Sequence, residues 1–524
     1  MAGGTWVDQN KIRPGVYINY KSAPSSLATM GERGTVAIAR VLDWGERGKF
    51  YTIADPSDCE QFGHAITDDE VLFIRQILLG TNRTQGASKI LLWSLATPEG
   101  DTKASVTSGS MTFTAKQAGS AGNNITVEVR SNSMYYDVYV NDVIAATNVG
   151  TFSGFTNDYV TASGTPSAMA KTNLSGGVSG SAKATATIGN LVATAKYYGT
   201  FGNRLSIVIT AGTNSNFIVQ TLLDGQAVDS QTVSAISGLV ANDYVVWSGT
   251  GALAVNTGVS LTGGANGEAG LTNYSAFLDA LEVEHFDILI YDGTDATTKS
   301  TYAAFVKALS NNEGIKCQAV ISNYPNPDNE CVISTYPQSV TLVDGSVLSP
   351  EQLTWWVGGA SAGAKQNESL TYTAYTDAVA VSPLLTSAQQ EAAINGGQFC
   401  LIAPYDRIQV LTDINCFRTF SVNKGQPFRK NRVVRTVFGV CNDIYEAFAR
   451  YYIGAVDNDD EGRKSLKAEI LNILNRYQGM RALQNVDVED VTVLKGVDSD
   501  AVVIEIYIQP VDSVEKIYIN ITIS

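Results

Sequence analysis

The chain has 524 residues, of which 44% are hydrophobic and 17% charged, with 36 Lys and Arg against 51 Asp and Glu. That length is too great for one hydrophobic core, so a folded chain of about two to four domains is expected and a disordered one is excluded. The net charge of -15 repels a nucleic-acid backbone and argues against direct nucleic-acid binding.

The N-terminus has no basic region followed by an apolar run, and no uninterrupted apolar segment reaches roughly 18 residues. We therefore expect neither a secretory signal nor membrane insertion, and we expect folding in the cytoplasm. The cysteines are scattered without a CxxC pair, which is typical of small core residues in a reducing compartment. They are Cys59, Cys317, Cys331, Cys400, Cys416 and Cys441.

Residues 1–29 are expected to form an N-terminal strand arm. In "RPGVYINY" the apolar side chains recur at every second position, the period of a β-strand. The residues of this strand are Val16, Tyr17, Ile18 and Tyr20. Residues 30–100 follow as a β-rich domain, because the strands "GTVAIARV" and "ASKILLWSL" flank the helix "DDEVLFIRQILLG".

Residues 101–266 form a separate inserted domain with an internal duplication. Only 15 of the 165 residues from 101 to 265 are charged. "TAKQAGSAGNNITVEVR" from Thr114 aligns with "TAKYYGTFGNRLSIVIT" from Thr194, an offset of 194-114 = 80. Alternating runs between Gly- and Asn-rich turns predict a small antiparallel β-unit in each half, and the distinct composition favours an outward-facing domain.

The pattern of residues 267–410 predicts an α/β domain. An amphipathic helix from Leu271 to Glu282 runs into the apolar strand Phe286 to Tyr291, and a second helix near 297–310 precedes the strand "KCQAVIS". Helices alternating with buried strands favour a partly parallel sheet covered by helices.

Residues 411–510 predict an α+β domain with helices from about Val433 to Tyr452 and in "DDEGRKSLKAEILNILNRYQG", the second capped by Gly479. An apolar stripe on the second helix comprises Leu466, Ile470, Ile473, Leu474 and Tyr477. The strand "DAVVIEIYIQP" follows.

Residues 511–524 form a C-terminal strand arm. Its apolar face is made by Ile517, Ile519, Ile521 and Ile523. No return turn follows this strand, so it is expected to complete a sheet in another copy of the chain. Repetition of such a heterologous contact builds a helical assembly.

We find no catalytic, cofactor-binding or metal site in the sequence. His64 and His285 are its only histidines, too few for a multi-histidine metal site, and a packing role is favoured for His285. "GTGALA" from Gly249 is predicted to be a turn. "DNDDEG" from Asp457 resembles a calcium loop but has Ala468 where the bidentate Glu is required, so helix capping is favoured.

A basic segment stands out in the acidic chain, with ten basic and seven acidic residues between Arg429 and Arg481. Two interpretations stay open. One is a solvated helix face with i,i+4 ion pairs, and the other is docking against an acidic protein surface.

The segment "KNRVVRTVFGVCNDIYEAFARYYIGAVDNDDEGRKSLKAEILNIL" resembles contractile tail sheath proteins of myophages, phage-tail-like bacteriocins and related injection systems. "RPGVYINY", "LTWWVGGASAGAKQNESLTYTAYTDA" from Leu353 and the terminal strand follow the same family pattern. The resemblance therefore covers nearly the whole chain apart from 101–265, where that family often carries variable β-rich insertions.

The resemblance implies a structural subunit and not an enzyme. Sheath subunits form a helical cylinder around an inner tail tube and contract to drive the tube through a bacterial envelope. The implied fold is a multidomain α+β and α/β chain with an α/β middle domain, the inserted duplicated antiparallel β-domain and an inner α+β C-terminal domain, with terminal strands exchanged between subunits.

The implied partners are further copies of the chain, the inner tail tube protein, and the baseplate and tail terminator proteins. The basic residues Arg463, Lys464 and Lys467 are the expected tube contacts. The implied location is a virion tail or phage-tail-like particle assembled in the host cytoplasm. Two other classes stay open: a secreted adhesin or surface-layer protein, suggested by the duplicated β-domain, and a hydrolase on the α/β domain.

Overall fold

The computed structural model describes residues 33–130, 136–147 and 157–523, except the side chain of Asp406. It also describes the backbone of two short N-terminal strands, β1 (Gly3–Gly4) and β2 (Val16–Tyr17), which pair in parallel. Ile18 and Tyr20 of the predicted N-terminal strand lie outside the described residues.

The first described domain segment supplies three strands and a helix. They are β3 (Thr35–Arg40), β4 (Phe50–Ile53), α1 (Leu72–Leu79) and β5 (Lys89–Ser94). The helix ends at Gly80, which has φ of 71° and lies so close to the backbone of 84–86 that a side chain would collide with it.

The inserted domain consists of two β-units with the same sheet order. The strands of the first unit are β6 (Ser105–Ser108), β7 (Met111–Ala115), β8 (Ile125–Val129), β9 (Tyr136–Val140), β10 (Val143–Thr147), β11 (Val160–Ser163) and β12 (Met169–Asn173). The strands of the second unit are β14 (Thr185–Ile188), β15 (Leu191–Ala195), β16 (Leu205–Ala211), β17 (Phe217–Leu223), β18 (Gln226–Val233), β19 (Val245–Gly249) and β20 (Asn256–Ser260). Two further strands, β13 (Ser181–Ala182) and β21 (Ala265–Asn266), pair with each other at the base of the second unit.

Each unit contains a three-stranded and a four-stranded antiparallel sheet. The orders are β11-β7-β6 and β10-β9-β8-β12 in the first unit, and β14-β15-β19 and β18-β17-β16-β20 in the second. Each unit also has its own hydrophobic core. The duplication predicted from the repeated sequence is therefore present in the fold.

The segment after the insertion alternates helices and strands. Its elements are α2 (Leu271–Leu281), β22 (Ile288–Tyr291), α3 (Ala296–Ala308), β23 (Gln318–Ser322), β24 (Val332–Thr335), β25 (Ser339–Leu342), β26 (Val347–Leu348), α4 (Leu353–Gly363), β27 (Ala378–Ser382), α5 (Ser387–Asn395), β28 (Gln398–Phe399), β29 (Leu401–Ile402) and β30 (Gln409–Val410).

The C-terminal segment contains α6 (Asn431–Tyr451), α7 (Asp460–Gly479), β31 (Val491–Lys495) and β32 (Val502–Ile506). The apolar stripe predicted on α7 is buried against α6 and the β31–β32 hairpin. The prediction that Gly479 caps α7 is wrong, because Gly479 is its last helical residue. The chain turns instead at Arg481, where φ is 63°.

One seven-stranded sheet combines strands from before and after the insertion, in the order β28-β24-β23-β22-β3-β5-β4. All of its pairings are parallel except that between β4 and β5. Residues 33–100 and 267–410, which the sequence predicts to be separate domains, thus share one sheet, called the central sheet below. The two segments together are called the central domain. Helices α1 and α4 cover one face, and α2, α3 and α6 cover the other.

The second β-unit docks on this central domain through aromatic side chains. Trp44, in the loop after β3, packs against Phe201 and Tyr197 with ring centroids 4.8 and 5.1 Å away. The backbones also approach closely, since a Cβ atom on Gly199 would lie 1.9 Å from the carbonyl oxygen of Asp43. This contact leaves Trp44 buried.

The first β-unit lacks the aromatic docking set. The repeat offset places Gln117 and Ala118 opposite Tyr197 and Tyr198, and Ala121 opposite Phe201; all three replacements are exposed. Polar contacts hold the first unit to the segment that follows the second, including a hydrogen bond of 2.9 Å from Ser120 Oγ to Glu268. The two units therefore share a fold but not a docking surface.

Five of the six cysteines are buried and Cys441 is half-buried, and all six are free thiols. The prediction that they are core residues is confirmed for those five. In the part of the chain that the structure describes, we find no helix with the length and apolar character needed to cross a membrane.

Candidate assembly surfaces

The C-terminal arm is extended and exposed. Residues 511–523 belong to no described strand. The four isoleucines expected to form one strand face, Ile517, Ile519, Ile521 and Ile523, are 75%, 74%, 84% and 93% exposed. A run of exposed isoleucines is unusual on a folded subunit, so the arm is an apolar segment that pairs with none of the described strands.

An apolar groove of about 740 Å³ lies between α6 and the end of the β31–β32 hairpin. Helix α6 contributes Val433, Val437, Val440, Cys441 and Ile444. The end of the hairpin contributes Ile506, Ile508 and Pro510, and Pro427 and Phe428 just before α6 complete the apolar lining. The groove is partly open to solvent and is lined mainly by aliphatic side chains, together with Gln426, Lys430 and Asp512. Such a surface fits an apolar strand or helix.

Strand β32 reaches this groove with its last residue, Ile506, and has an open edge. It pairs in antiparallel register with β31, from Val502 opposite Lys495 to Ile506 opposite Val491, and within the described chain it has no strand on its other side. A two-stranded hairpin with an unpaired edge offers backbone donors and acceptors to a further strand.

Three basic residues predicted as tube contacts lie on the first turns of α7. Arg463 is largely buried and donates hydrogen bonds of 3.1 and 2.9 Å to Asn458, besides pairing with Asp460. Lys464 is exposed and forms an ion pair of 2.7 Å with Glu461. Lys467 is half-buried. The three residues therefore lie on one helix, but the Arg463 side chain is occupied by bonds to residues at the start of that helix.

Other residues of the basic segment serve inside the subunit. Arg435 of α6 and Asp413 form an ion pair of 2.9 Å, with both side chains 1% exposed. Asp413 also accepts hydrogen bonds from Asn431 Nδ2 at 2.9 Å and from the Leu370 backbone N–H at 3.0 Å. These bonds tie α6 to the central domain.

His64 is buried between two carboxylates near the docked second β-unit. Its Nε2 lies 2.7 Å from Asp43 and its Nδ1 lies 3.2 Å from Asp68, and Phe201 packs edge-on against the ring at 5.5 Å. Burial disfavours the imidazolium, but the hydrogen bonds to Asp43 and Asp68 and the charges of Asp43 and Glu70 outweigh burial and raise the pKa of His64. The possible ligand atoms of His64, Asp68 and Glu70 lie within 4.8 Å of one another. Both ring nitrogens already have carboxylate partners, so the cluster is better described as a histidine held between two aspartates than as a metal site. This arrangement of Asp43, His64 and Asp68 is called the ionic clasp below.

The remaining sequence motifs have structural roles. Gly249 is the last residue of β19, and the irregular connection of residues 250–255 leads directly to β20 with no helix, in agreement with the predicted turn between strands. Asp459 caps α7 by accepting a hydrogen bond of 2.7 Å from the Gly462 N–H, which confirms the capping interpretation of the acidic motif. The packing role favoured for His285 is wrong: this side chain is exposed, because the buried segment begins one residue later at Phe286.

Three family models match successive parts of the chain. The phage tail sheath protein beta-sandwich domain matches residues 179–266, the phage tail sheath protein central domain matches 267–416, and the phage tail sheath C-terminal domain matches 423–524. The second β-unit thus lies in a matched region, and the first lies outside all three.

Individual relatives agree with these matches. The crystal structure of a sheath tail protein from Desulfitobacterium hafniense is 36% identical, with a TM-score of 0.71 over 96% of this chain and 99% of that one. The phage-like element PBSX protein XkdK of Bacillus subtilis (strain 168) is 27% identical over the whole of both chains. The tail sheath protein of Clostridium phage phiCD119 is 26% identical over 34% of this chain and 50% of its own.

Proposed function

Because this chain belongs to the phage tail sheath family, we propose that it is the sheath subunit of a contractile phage tail or phage-tail-like particle. Copies polymerise helically around an inner tail tube, and contraction drives the tube through a bacterial envelope. The observation that carries the proposal is a complementary pair of surfaces on one subunit. These are the exposed apolar arm and the apolar groove beside an open strand edge.

Strand donation links the copies. The C-terminal arm of one subunit, with Ile517 and Ile519 at its centre, adds to the open edge of β32 in the next and places its isoleucines in the groove. The N-terminal strand at Val16, Tyr17, Ile18 and Tyr20 is a second donor. Because donor and acceptor are different surfaces, the contact is heterologous and repeats without closing on itself.

A single donated strand is marginally stable. Burial of four isoleucines stabilises by about 6–12 kcal/mol, whereas ordering about seven backbone residues costs about 7–14 kcal/mol. Main-chain hydrogen bonds to β32 shift this balance by about 1 kcal/mol each. Assembly is therefore cooperative, since a lattice forms many such contacts together.

Contraction moves the subunits as nearly rigid bodies while the arms keep neighbours connected. The two-faced central sheet and its covering helices provide the rigid body. The partners proposed besides further copies are the inner tail tube, baseplate and tail terminator proteins, with assembly in the host cytoplasm. The inserted β-domain faces outward, away from the tube.

The first experiment removes the donor. A chain that ends at Glu515 is expected to stay folded and soluble but to form no cylinders by electron microscopy. Ile519→Pro should mimic the truncation because it removes a ladder donor. Val422→Pro, at a fully exposed loop position, is the matched control and should polymerise normally. Normal cylinders from the truncated chain would refute strand donation.

The second experiment blocks the acceptor. Val437→Trp fills the groove while leaving both arms intact, so this variant should also remain unassembled. A 1:1 mixture of this variant with the truncated chain then tests the pairing. The Val437→Trp variant retains the donor arm, and the truncated chain retains the open groove. Size-exclusion chromatography should detect a mixed complex that neither variant forms alone. Absence of that complex would contradict the pairing of arm and groove.

Electron microscopy of the purified protein also separates the other classes. Hollow cylinders support a sheath, planar lattices support a surface-layer protein, and dispersed particles with substrate turnover support a hydrolase.

The basic residues of α7 are proposed as the tube contact. A charged contact can hold during assembly and release on contraction without dismantling a large apolar interface. Reversing the charge of Lys464 and Lys467 should weaken co-assembly with the tube and reduce its salt sensitivity. Lys307→Glu, an exposed substitution on α3, is the control. An unchanged salt dependence would identify the patch as a solvated face.

A further inference from the structure

The root of the C-terminal arm is held by one carboxylate. Glu515 is only 14% exposed at its side chain and pairs with Lys430 just before α6. Thr371 Oγ1 donates a hydrogen bond of 2.8 Å to its Oε1, and Thr412 Oγ1 donates one of 3.4 Å to its Oε2. Ser513 Oγ reaches the same carboxylate at 3.4 Å.

These contacts connect the arm to the buried ion pair between the domains. Thr371 Oγ1 accepts a hydrogen bond of 2.9 Å from the Asp413 backbone N–H. The Asp413 side chain in turn pairs with Arg435 of α6 at 2.9 Å. Glu515 is therefore linked through the half-buried Thr371 to the buried pair of Asp413 and Arg435.

The chain changes character immediately after Glu515. Before it, the Val511 N–H donates to the Ala482 carbonyl at 2.9 Å, which holds the start of the arm on the C-terminal domain. After it, every residue from Lys516 to Ile523 is exposed. The boundary between a fixed root and a free strand thus falls at one residue.

We propose that Glu515 is a positioning residue that pins the arm and sets the direction in which the strand leaves the subunit. The inference rests on the strand donation proposed above. The bend between subunits is confined to the bonds after Glu515, and this limits the orientations that the donated strand can sample before it binds.

Spin labels on the isolated monomer test the pin without assembly. Labels at Val514→Cys and Val343→Cys, both exposed positions, report the distance between arm root and central domain. Cys441→Ser removes the half-buried native thiol. The distance distribution should be narrow in the parent and at least twofold broader in Glu515→Ala.

The charge-swapped pair Lys430→Glu with Glu515→Lys should restore the narrow distribution. Glu505→Gln, an exposed substitution on β32, should leave it unchanged. Glu515→Ala should also raise the protein concentration needed for cylinder formation by about tenfold, because a looser arm is less preorganised. A distribution that does not broaden in Glu515→Ala overturns the pin even if the protein forms cylinders. Cylinders from the truncated chain would instead refute strand donation and leave the pin standing.

Discussion

Arg435 and Asp413 form an ion pair that is almost completely buried. Both side chains are 1% exposed, so removing one partner leaves an uncompensated buried charge. We predict that Arg435→Met lowers the free energy of unfolding by about 3–5 kcal/mol. The double variant with Asp413→Asn should lose clearly less. Urea unfolding followed by tryptophan fluorescence measures both, and equal losses would show that the pair acts only through packing.

We predict that His64, whose ring packs on Phe201 of the second β-unit, makes this junction dependent on pH. Its folded-state pKa is raised above the ordinary value of 6.5. The clasp therefore contributes full stability below about pH 6.5 and loses it as pH rises through the raised pKa. Hydrogen exchange of residues 197–204 should accelerate above that pKa in the parent but not in His64→Gln. His285→Asn, an exposed substitution, should keep the parent's profile.

Sequence alone could not assign the basic residues of the C-terminal domain. Arg435 lies in a buried pair, Lys430 holds the arm root and Lys464 is exposed, although all three belong to one basic segment. Their roles depend on acids that are 22, 85 and 3 positions away in the chain. Only the shortest of these separations is a helical spacing that can be recognised in a sequence.

Among the elements, α4 depends on close backbone contact. Gly359 faces α1, and a Cβ atom there would lie 1.9 Å from the Ile77 carbonyl oxygen. Because the colliding atom belongs to the backbone of α1, a side chain at position 359 would force α1 and α4 apart. We predict that Gly359→Ala costs about 1–3 kcal/mol or more. Gly479→Ala in α7 meets nothing within 4 Å and should instead stabilise by about 0.5–1 kcal/mol. Thermal unfolding compares the two, and similar melting temperatures would contradict the close contact.

Amphipathic elements could be predicted from the sequence, whereas uniformly buried ones could not. The helix predicted from Leu271 to Glu282 could be recognised because its apolar stripe is clear. In the structure it ends only one residue earlier, at Leu281. Helix α4 is buried on all sides and has no stripe to detect. The pairing of β3 with β22 was also hidden, since it joins residues about 250 positions apart across the insertion.

At the scale of the whole molecule, the two β-units should respond differently to deletion. Replacing 104–174 with a Gly-Ser linker removes only the first unit, and this variant is expected to fold and form cylinders. Replacing 101–266 also uncovers Trp44, so solubility should fall unless Trp44→Ser is added. Yield and particle imaging compare the three variants. Loss of polymerisation in a folded chain lacking only the first unit would contradict an outward position.

The missing aromatic set on the first β-unit has a practical consequence. The first and last residues of this unit lie side by side, since residues 102 and 178 exchange backbone hydrogen bonds of 2.9 and 3.3 Å. The unit is therefore connected to the rest of the chain at a single place. A module attached in this way can be exchanged for a foreign domain whose termini are close. A cylinder built from such subunits would carry one grafted domain per copy, at the spacing of the subunits in the lattice. This position is therefore suited to the multivalent display of a foreign domain.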